Sequence, residues 1–211
     1  MTVTRTRFAT LAALLLVPVL GTAQSSLHTP ATRTTETAVF AGGCFWGVDA
    51  VFKHVKGVVH VLSGYAGGKA PTAHYEIVST GETGHAESVE VTYDPSQVSY
   101  RQLLQVFFTV AHDPTELNRQ GPDVGSQYRS AIFYESAAQQ QAAQAYIAEL
   151  SRTHLFSQPI VTQVVPLDHF FEAEAYHQNY LALHMSQPYI VYNDLPKLDK
   201  LAKTFPALYR Q

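Results

Sequence analysis

The chain of 211 residues has one cysteine, Cys44, and one tryptophan, Trp46. With a single thiol no internal disulfide can form, so Cys44 is not a structural staple. Charged residues make up only 15% and the formal net charge is −3, with no basic patch, which argues against a nucleic-acid partner. Ten histidines are present, yet there is no H-E-x-x-H and no paired Cys/His spacing, so no metal and no cofactor are expected. The apolar run over residues 8–20 is too short to cross a bilayer. Against these shortages, a hydrophobic content of 46% supports a sizeable core in one domain. Twelve tyrosines and eleven phenylalanines suit an aromatic-lined pocket, and equally an ordinary aromatic core.

The N-terminus has the pattern of a targeting segment. Arg5 and Arg7 precede the apolar run, and Gly21-Thr22-Ala23 offers small residues for cleavage, so residues 1–23 are expected as a cleaved signal peptide. An uncleaved anchor is the alternative. Residues 24–36 are Ser/Thr-rich without periodicity and read as a flexible leader, leaving residues 37–211 as the folded domain. Export, periplasmic or secreted, makes the lone thiol informative. Outside the cytoplasm such a thiol is a liability unless it is buried or used.

Cys44 stands in Ala41-Gly42-Gly43-Cys44-Phe45-Trp46-Gly47, between a short strand at residues 37–40 and apolar residues Phe45, Val48, Val51, Phe52 and Val55 at helical spacing. Two glycines permit a tight turn, so the thiol is expected at the helix start, where free N–H groups and the dipole lower a thiol pKa. Trp46 lies off the apolar stripe, beside Asp49 and Lys53, and reads better as a wall of the site that Cys44 faces than as core.

Further on, residues 58–63 are β-rich and Gly64-Tyr65-Ala66-Gly67-Gly68 reads as a turn, followed by a long connection over residues 69–84. Residues 87–93 alternate with period two, which puts Glu87 in register with Val89, Val91 and Tyr93 on the core face. Ser99-Tyr100-Arg101-Gln102 and Ser136-Ala137-Ala138-Gln139 are capping boxes that open helices to Ala111 and about Thr153. A second long loop spans residues 115–126, strands follow at 127–134 and 159–165, residues 172–185 read as a helix, and the tail beyond Pro188 as less regular. The order β-α-β-β-α-β predicts an α+β two-layer sandwich, a mixed β-sheet with packed helices on a ferredoxin-like βαββαβ core with C-terminal additions.

Six motifs in order then carry a resemblance: Gly43-Cys44-Phe45-Trp46-Gly47, Gly64-Tyr65-Ala66-Gly67-Gly68, Gly81-Glu82-Thr83-Gly84-His85-Ala86-Glu87, Tyr93-Asp94-Pro95, His112-Asp113-Pro114, and Asp123-Val124-Gly125-Ser126-Gln127-Tyr128-Arg129-Ser130. Over residues 38–183 the chain resembles the A-type peptide methionine sulfoxide reductases. The resemblance implies a nucleophilic Cys44 thiolate that attacks the sulfoxide sulfur and a protonated Glu87 that supplies the proton the oxygen needs to leave. It implies Tyr75 and Tyr128 as hydroxyl donors to that oxygen, Phe45 and Trp46 as an apolar cup for the terminal methyl group, and Asp123 at the site's edge for the peptide backbone. The products would be methionine and a sulfenic acid on Cys44. Selectivity for the S epimer is implied by the resemblance alone, as is the substrate, methionine sulfoxide in oxidised proteins or peptides and also free.

Many family members carry further cysteines near the C-terminus, whereas residues 176–211 here hold none. Recycling is therefore expected from an external thiol, a thioredoxin-like protein or a small thiol, and the chain is expected to be a monomer. Each residue also has a plainer reading: Glu87 as a surface carboxylate, the tyrosines as packing, Asp123 as a turn former. Two other classes remain open, a cysteine hydrolase or acyltransferase recruiting His85, His112 or His177, and an exported binding module built on Trp46. The reductase chemistry requires that Cys44 and Glu87 open onto one cavity bounded by Trp46.

Overall fold

The residues ahead of Cys44 form strand β1 (Glu36–Gly42) and the apolar residues behind it helix α1 (Phe45–Lys53), in a computed structural model that describes residues 1–4 and 34–211. All but residues 1–4 of the expected signal peptide, and most of the leader, lie outside the described residues. The chain continues through β2 (Val58–Ala66), α2 (Tyr75–Val78), β3 (Ala86–Tyr93) and α3 (Tyr100–Val106), which widens into a π-helical stretch over Phe107–Ala111. A small hairpin, β4 (Arg119–Gln120) and β5 (Asp123–Val124), precedes β6 (Ser130–Tyr134) and α4 (Ala137–Thr153). Strands β7 (Gln163–Pro166) and β8 (Phe170–Glu172), α5 (Tyr180–Leu183) and α6 (Leu195–Thr204) complete the chain.

The sheet order is β7-β6-β1-β3-β2-β8. Its centre, β6-β1-β3-β2, is antiparallel throughout, with α1 and α3 as the two crossovers, which is the βαββαβ arrangement foreseen. β7 joins β6 in parallel and β8 joins β2 antiparallel, making the sheet mixed and the class α+β. The main core lies between one sheet face (Phe40, Val89, Val91, Tyr65) and helices that contribute Val51, Leu103, Tyr146 and Leu201. The other face carries a smaller cluster of Val39, Ala41, Ala66, Ala86, Ala131 and Phe133.

Several boundaries differ from the sequence expectation, each for a local reason. Gly64, Tyr65 and Ala66 belong to β2 rather than a turn, because pairing with both β3 and β8 satisfies their backbone. Gln127 and Tyr128 form a 3-10 turn ahead of β6, held by Gln127 to Ser79 O (3.0 Å) and by Arg129 to Gly84 O (2.9 Å). β7 begins only at Gln163. The helix expected over residues 172–185 is instead the end of β8, a 3-10 turn at Ala175–His177 and the short α5. Gln178 explains this, since its amide bonds to Ser63 N (3.0 Å) and Ser63 O (2.9 Å) and ties the segment to the sheet. Beyond Pro188 the chain is helical, π-type over Ile190–Asp194 and then α6.

The Ser99 capping box is complete: Ser99 Oγ accepts from Gln102 N and Gln102 Oε1 from Ser99 N (2.9 Å). The second is half-formed. Ser136 Oγ accepts from Gln139 N (3.2 Å), but Gln139 Oε1 takes Glu135 N (2.9 Å) and its Nε2 donates to Thr37 O (2.7 Å), fastening α4 to β1.

Phe40, fully buried on β1, stacks between Phe52 (5.0 Å) on α1 and Phe107 (4.9 Å) after α3, so it joins the sheet to both crossovers. Phe40→Ala is expected to lower unfolding free energy by about 3–5 kcal/mol, the usual cost of a buried phenylalanine. Urea denaturation checks this, and a loss under about 1 kcal/mol would contradict that packing role.

Candidate active site

Two glycines place Cys44. Gly43 adopts φ +90°, open to glycine, and a Cβ there would lie 2.6 Å from the Gln120 side chain. Three residues beyond Cys44, on the side of α1, Gly47 leaves room for the Asp194 carboxylate, whose Oδ1 would stand 2.0 Å from any Cβ. Between them Cys44 is the N-cap residue of α1, as expected, with only 8% of its surface exposed.

One cavity of about 200 Å³ is lined by Cys44, Phe45, Trp46, Tyr75, Glu87, Asp123 and Tyr128, together with Tyr189. Every site residue that the resemblance named is thus brought together, from β1's end, α1, α2, β3, the β4–β5 hairpin and the turn before β6. Glu87 is buried at the start of β3; its Oε2 accepts the Phe45 backbone N–H at 3.0 Å, and it lines the same cavity as Cys44. The surface reading of Glu87 is therefore wrong. Tyr75 heads α2, with its N–H bonded to Glu174 Oε1 (3.0 Å) and its ring 4.5 Å from that of His177.

Trp46 is a cavity wall, held on three sides. Its indole N–H donates to His177 Nδ1 (3.1 Å), Tyr180 stacks on it at 3.6 Å, and Tyr189 meets it edge-on at 6.0 Å. The face it shares with Asp49 is covered by the C-terminal segment, and Asp49, 2% exposed, pairs with Lys53 (2.8 Å). Tyr189, His177 and Glu174 were not picked out as parts of this pocket from the sequence. A signal existed for Tyr189, since Ile190, Leu198 and Leu201 after it repeat near helical spacing and would have marked a packed helix. His177 and Glu174 act only through contacts distant in sequence, which no spacing reveals. The Tyr189 hydroxyl donates to Asp123 Oδ2.

The electrostatics correct one expectation. Cys44 was expected to have a lowered pKa at the helix start. Burial, with the Glu87 and Asp194 carboxylates near it, instead pushes the thiol well up, outweighing the hydrogen bond from the Trp46 backbone N–H. Glu87 is pushed up to about 8, chiefly by burial, with the Phe45 N–H pulling the other way. Burial raises Tyr75 and Tyr128 also, and Glu87 adds to both. At neutral pH the cavity thus holds a thiol and a carboxylic acid, both with their protons. None of the three histidines considered as a base lines it. His85 Nε2 rests on Lys69 O (3.1 Å), His112 lies between Phe107 O (3.0 Å) and Ser130 Oγ (2.7 Å), and His177 takes the indole.

The model of the peptide methionine sulfoxide reductase family matches residues 36–208. The chain belongs to that family. The reductase is 60% identical over 177 residues to the peptide methionine sulfoxide reductase MsrA 2 of Mesorhizobium japonicum, covering 84% of this chain and 91% of that one. It is 49% identical over 175 residues to an MsrA of Thermus thermophilus, covering 83% and 98%. Among solved structures, it is similar to methionine sulfoxide reductase A of Corynebacterium diphtheriae, with a TM-score of 0.65, 37% identity, and 74% and 78% of the two chains covered. It is an oxidoreductase that acts on methionine sulfoxide.

Because Glu87's folded pKa lies above its ordinary 4.5, the reductase is stabilised where the group is protonated and loses that stability as pH rises through about 8. The loss is on the order of a few kcal/mol, at ~1.4 kcal/mol per tenfold change in proton affinity. Glu87→Gln, which keeps an acceptor for Phe45 N–H, is expected to gain on the wild type between pH 4.5 and 8. Melting temperatures across that window test this; a difference between the two that does not change with pH would contradict it.

Proposed function

We propose that the reductase converts the S epimer of methionine sulfoxide to methionine with Cys44 as nucleophile and Glu87 as proton donor. The observation that carries the reading is that Cys44 and Glu87 line one cavity walled by Phe45 and Trp46. A neutral pair suits a neutral substrate. The Glu87 carboxyl and the Tyr75 and Tyr128 hydroxyls, all held protonated by burial, polarise the sulfoxide oxygen, while the aromatic wall takes the methyl group. As that oxygen gains a proton, positive charge gathers on the substrate sulfur, and this, rather than the helix start, draws the proton off Cys44.

The step balances. Cys44 sulfur forms a bond to the sulfoxide sulfur, and the S–O bond breaks. The oxygen leaves as water with one proton from Glu87 and one from the thiol. That water then attacks the Cys44 sulfur, methionine departs with the bonding pair, and Glu87 is reprotonated. The substrate sulfur is reduced by two electrons and Cys44 is oxidised by two, to a sulfenic acid. With no other cysteine in the chain, an external thiol, small or on a thioredoxin-like protein, resolves it. A monomer is sufficient for this chemistry. The basic and apolar N-terminal residues support export and a role in repairing oxidised exported proteins.

A cysteine hydrolase or acyltransferase is not favoured, since no histidine stands in the cavity with Cys44. A binding module is not favoured either, because an unused thiol would have no reason to meet a buried acid.

The decisive experiment is one turnover without reductant on both epimers of a blocked methionine sulfoxide, followed by chiral analysis and intact mass. The S epimer is expected to be consumed one for one, leaving Cys44 one oxygen heavier. Stoichiometric methionine with an unmodified Cys44 thiol, or turnover of the R epimer, would overturn the reading. Cys44→Ser is expected to abolish turnover, and Glu87→Gln to lower kcat/KM by about 10²–10⁴ at pH 7, the usual range for a lost general acid. In the wild type that acid limb falls as pH rises past about 8.

A further inference from the structure

Cys44 also borders a second cavity. It measures about 150 Å³ and is lined by Cys44, Gln120, Gly121, Asn193 and Lys197. Asp123 and Tyr189 line both cavities, so their hydrogen-bonded pair stands between the two. None of Glu87, Tyr75 and Tyr128 lines the second space, whose charged lining residues are Lys197 and Asp123. The other polar groups there are largely engaged. Gln120 bonds to Asp113 at both ends, Oε1 with Asp113 N (2.9 Å) and Nε2 with Asp113 O (3.0 Å), and Asn193 Nδ2 donates to Tyr189 O (3.0 Å). Lys197 gives a hydrogen bond to the buried Asp194 Oδ1 (3.1 Å), and an ammonium has three N–H bonds. Its side chain is 18% exposed, so it is held in the wall rather than free on the surface.

We propose that this second cavity is the subsite in which a small, carboxylate-bearing thiol meets oxidised Cys44, with Lys197 receiving the carboxylate. The assignment rests on the sulfenic acid reading above. The second cavity supplies an approach to Cys44 that avoids the substrate space. The incoming thiolate forms a disulfide bond to Cys44, the S–O bond breaks, and hydroxide leaves as water with the Glu87 proton, which the thiol's own proton replaces. A second molecule of the same thiol then displaces the Cys44 thiolate from the mixed disulfide, yielding the small-molecule disulfide.

Gly121 gives a test that spares the buried Lys197–Asp194 pair. It has φ +54°, and a Cβ there meets nothing within 4 Å; Asn and Asp are the side chains that best tolerate that conformation. Full-length wild type, Gly121→Asn, Gly121→Asp and Lys197→Gln would each be carried through one turnover without reductant. Resolution by 3-mercaptopropionate or by 2-mercaptoethanol is then followed by rapid-quench intact mass. The ratio of the two rates, anionic over neutral thiol, is expected to fall about five- to tenfold in Gly121→Asp and Lys197→Gln, the scale of one charge contact, and to stay at the wild-type value in Gly121→Asn. A ratio unmoved in Gly121→Asp overturns the subsite even if Lys197→Gln fails to fold. If a thioredoxin-type dithiol protein resolves the wild-type sulfenic acid and 3-mercaptopropionate does not, the ligand class assigned here is wrong. If no oxygen is found on Cys44 at all, it is the sulfenic acid reading that fails, and the subsite goes with it.

Discussion

The constraint on which the site depends is the joint burial of two acids, the Cys44 thiol and the Glu87 carboxyl, in one cavity where neither ionises cheaply. In water a carboxylate would be charged at neutral pH and useless as a proton donor. Here burial keeps the proton on Glu87, and burial, with the Asp194 carboxylate nearby, keeps it on Cys44 as well. In the mechanism proposed, such a site is quiet until a polarisable oxygen arrives between its donors, and a protonated thiol is less open to passing oxidants than a standing thiolate.

The fold supplies this burial through both layers. β3 carries Glu87 on the face that meets the helices, and β1 delivers Cys44 to the first turn of α1, so the antiparallel β1–β3 pairing sets the two side by side. The C-terminal segment then closes the space: Tyr180 and His177 fix Trp46, and Tyr189, bonded to Asp123, lines both cavities beside Cys44. Residues far apart in the chain thus share one wall.

Much of this was legible in the sequence. The βαββαβ order followed from periodicity, and the period-two run over residues 87–93 put Glu87 on the same face as Val89, Val91 and Tyr93, all of which are buried. The Gly-Gly-Cys turn placed the thiol at a helix start. The failures are of another kind. Residues 172–185 look helical in composition, but Gln178 bonds to the sheet and breaks the ladder. Tyr65 looked like turn punctuation and is a buried strand residue whose hydroxyl donates to Glu174 (2.8 Å).

What the sequence determined by itself is the local part: element order, the position of Cys44 at its cap, and a set of side chains with the right chemistry. Those depend on neighbours within a few residues, where backbone stereochemistry and hydrophobic spacing decide. The protonation states, the aromatic frame around Trp46 and the second space beside the sulfur were decided only by tertiary structure. Desolvation and charge coupling depend on distance in space, and no spacing along the chain encodes how much water is left around Glu87.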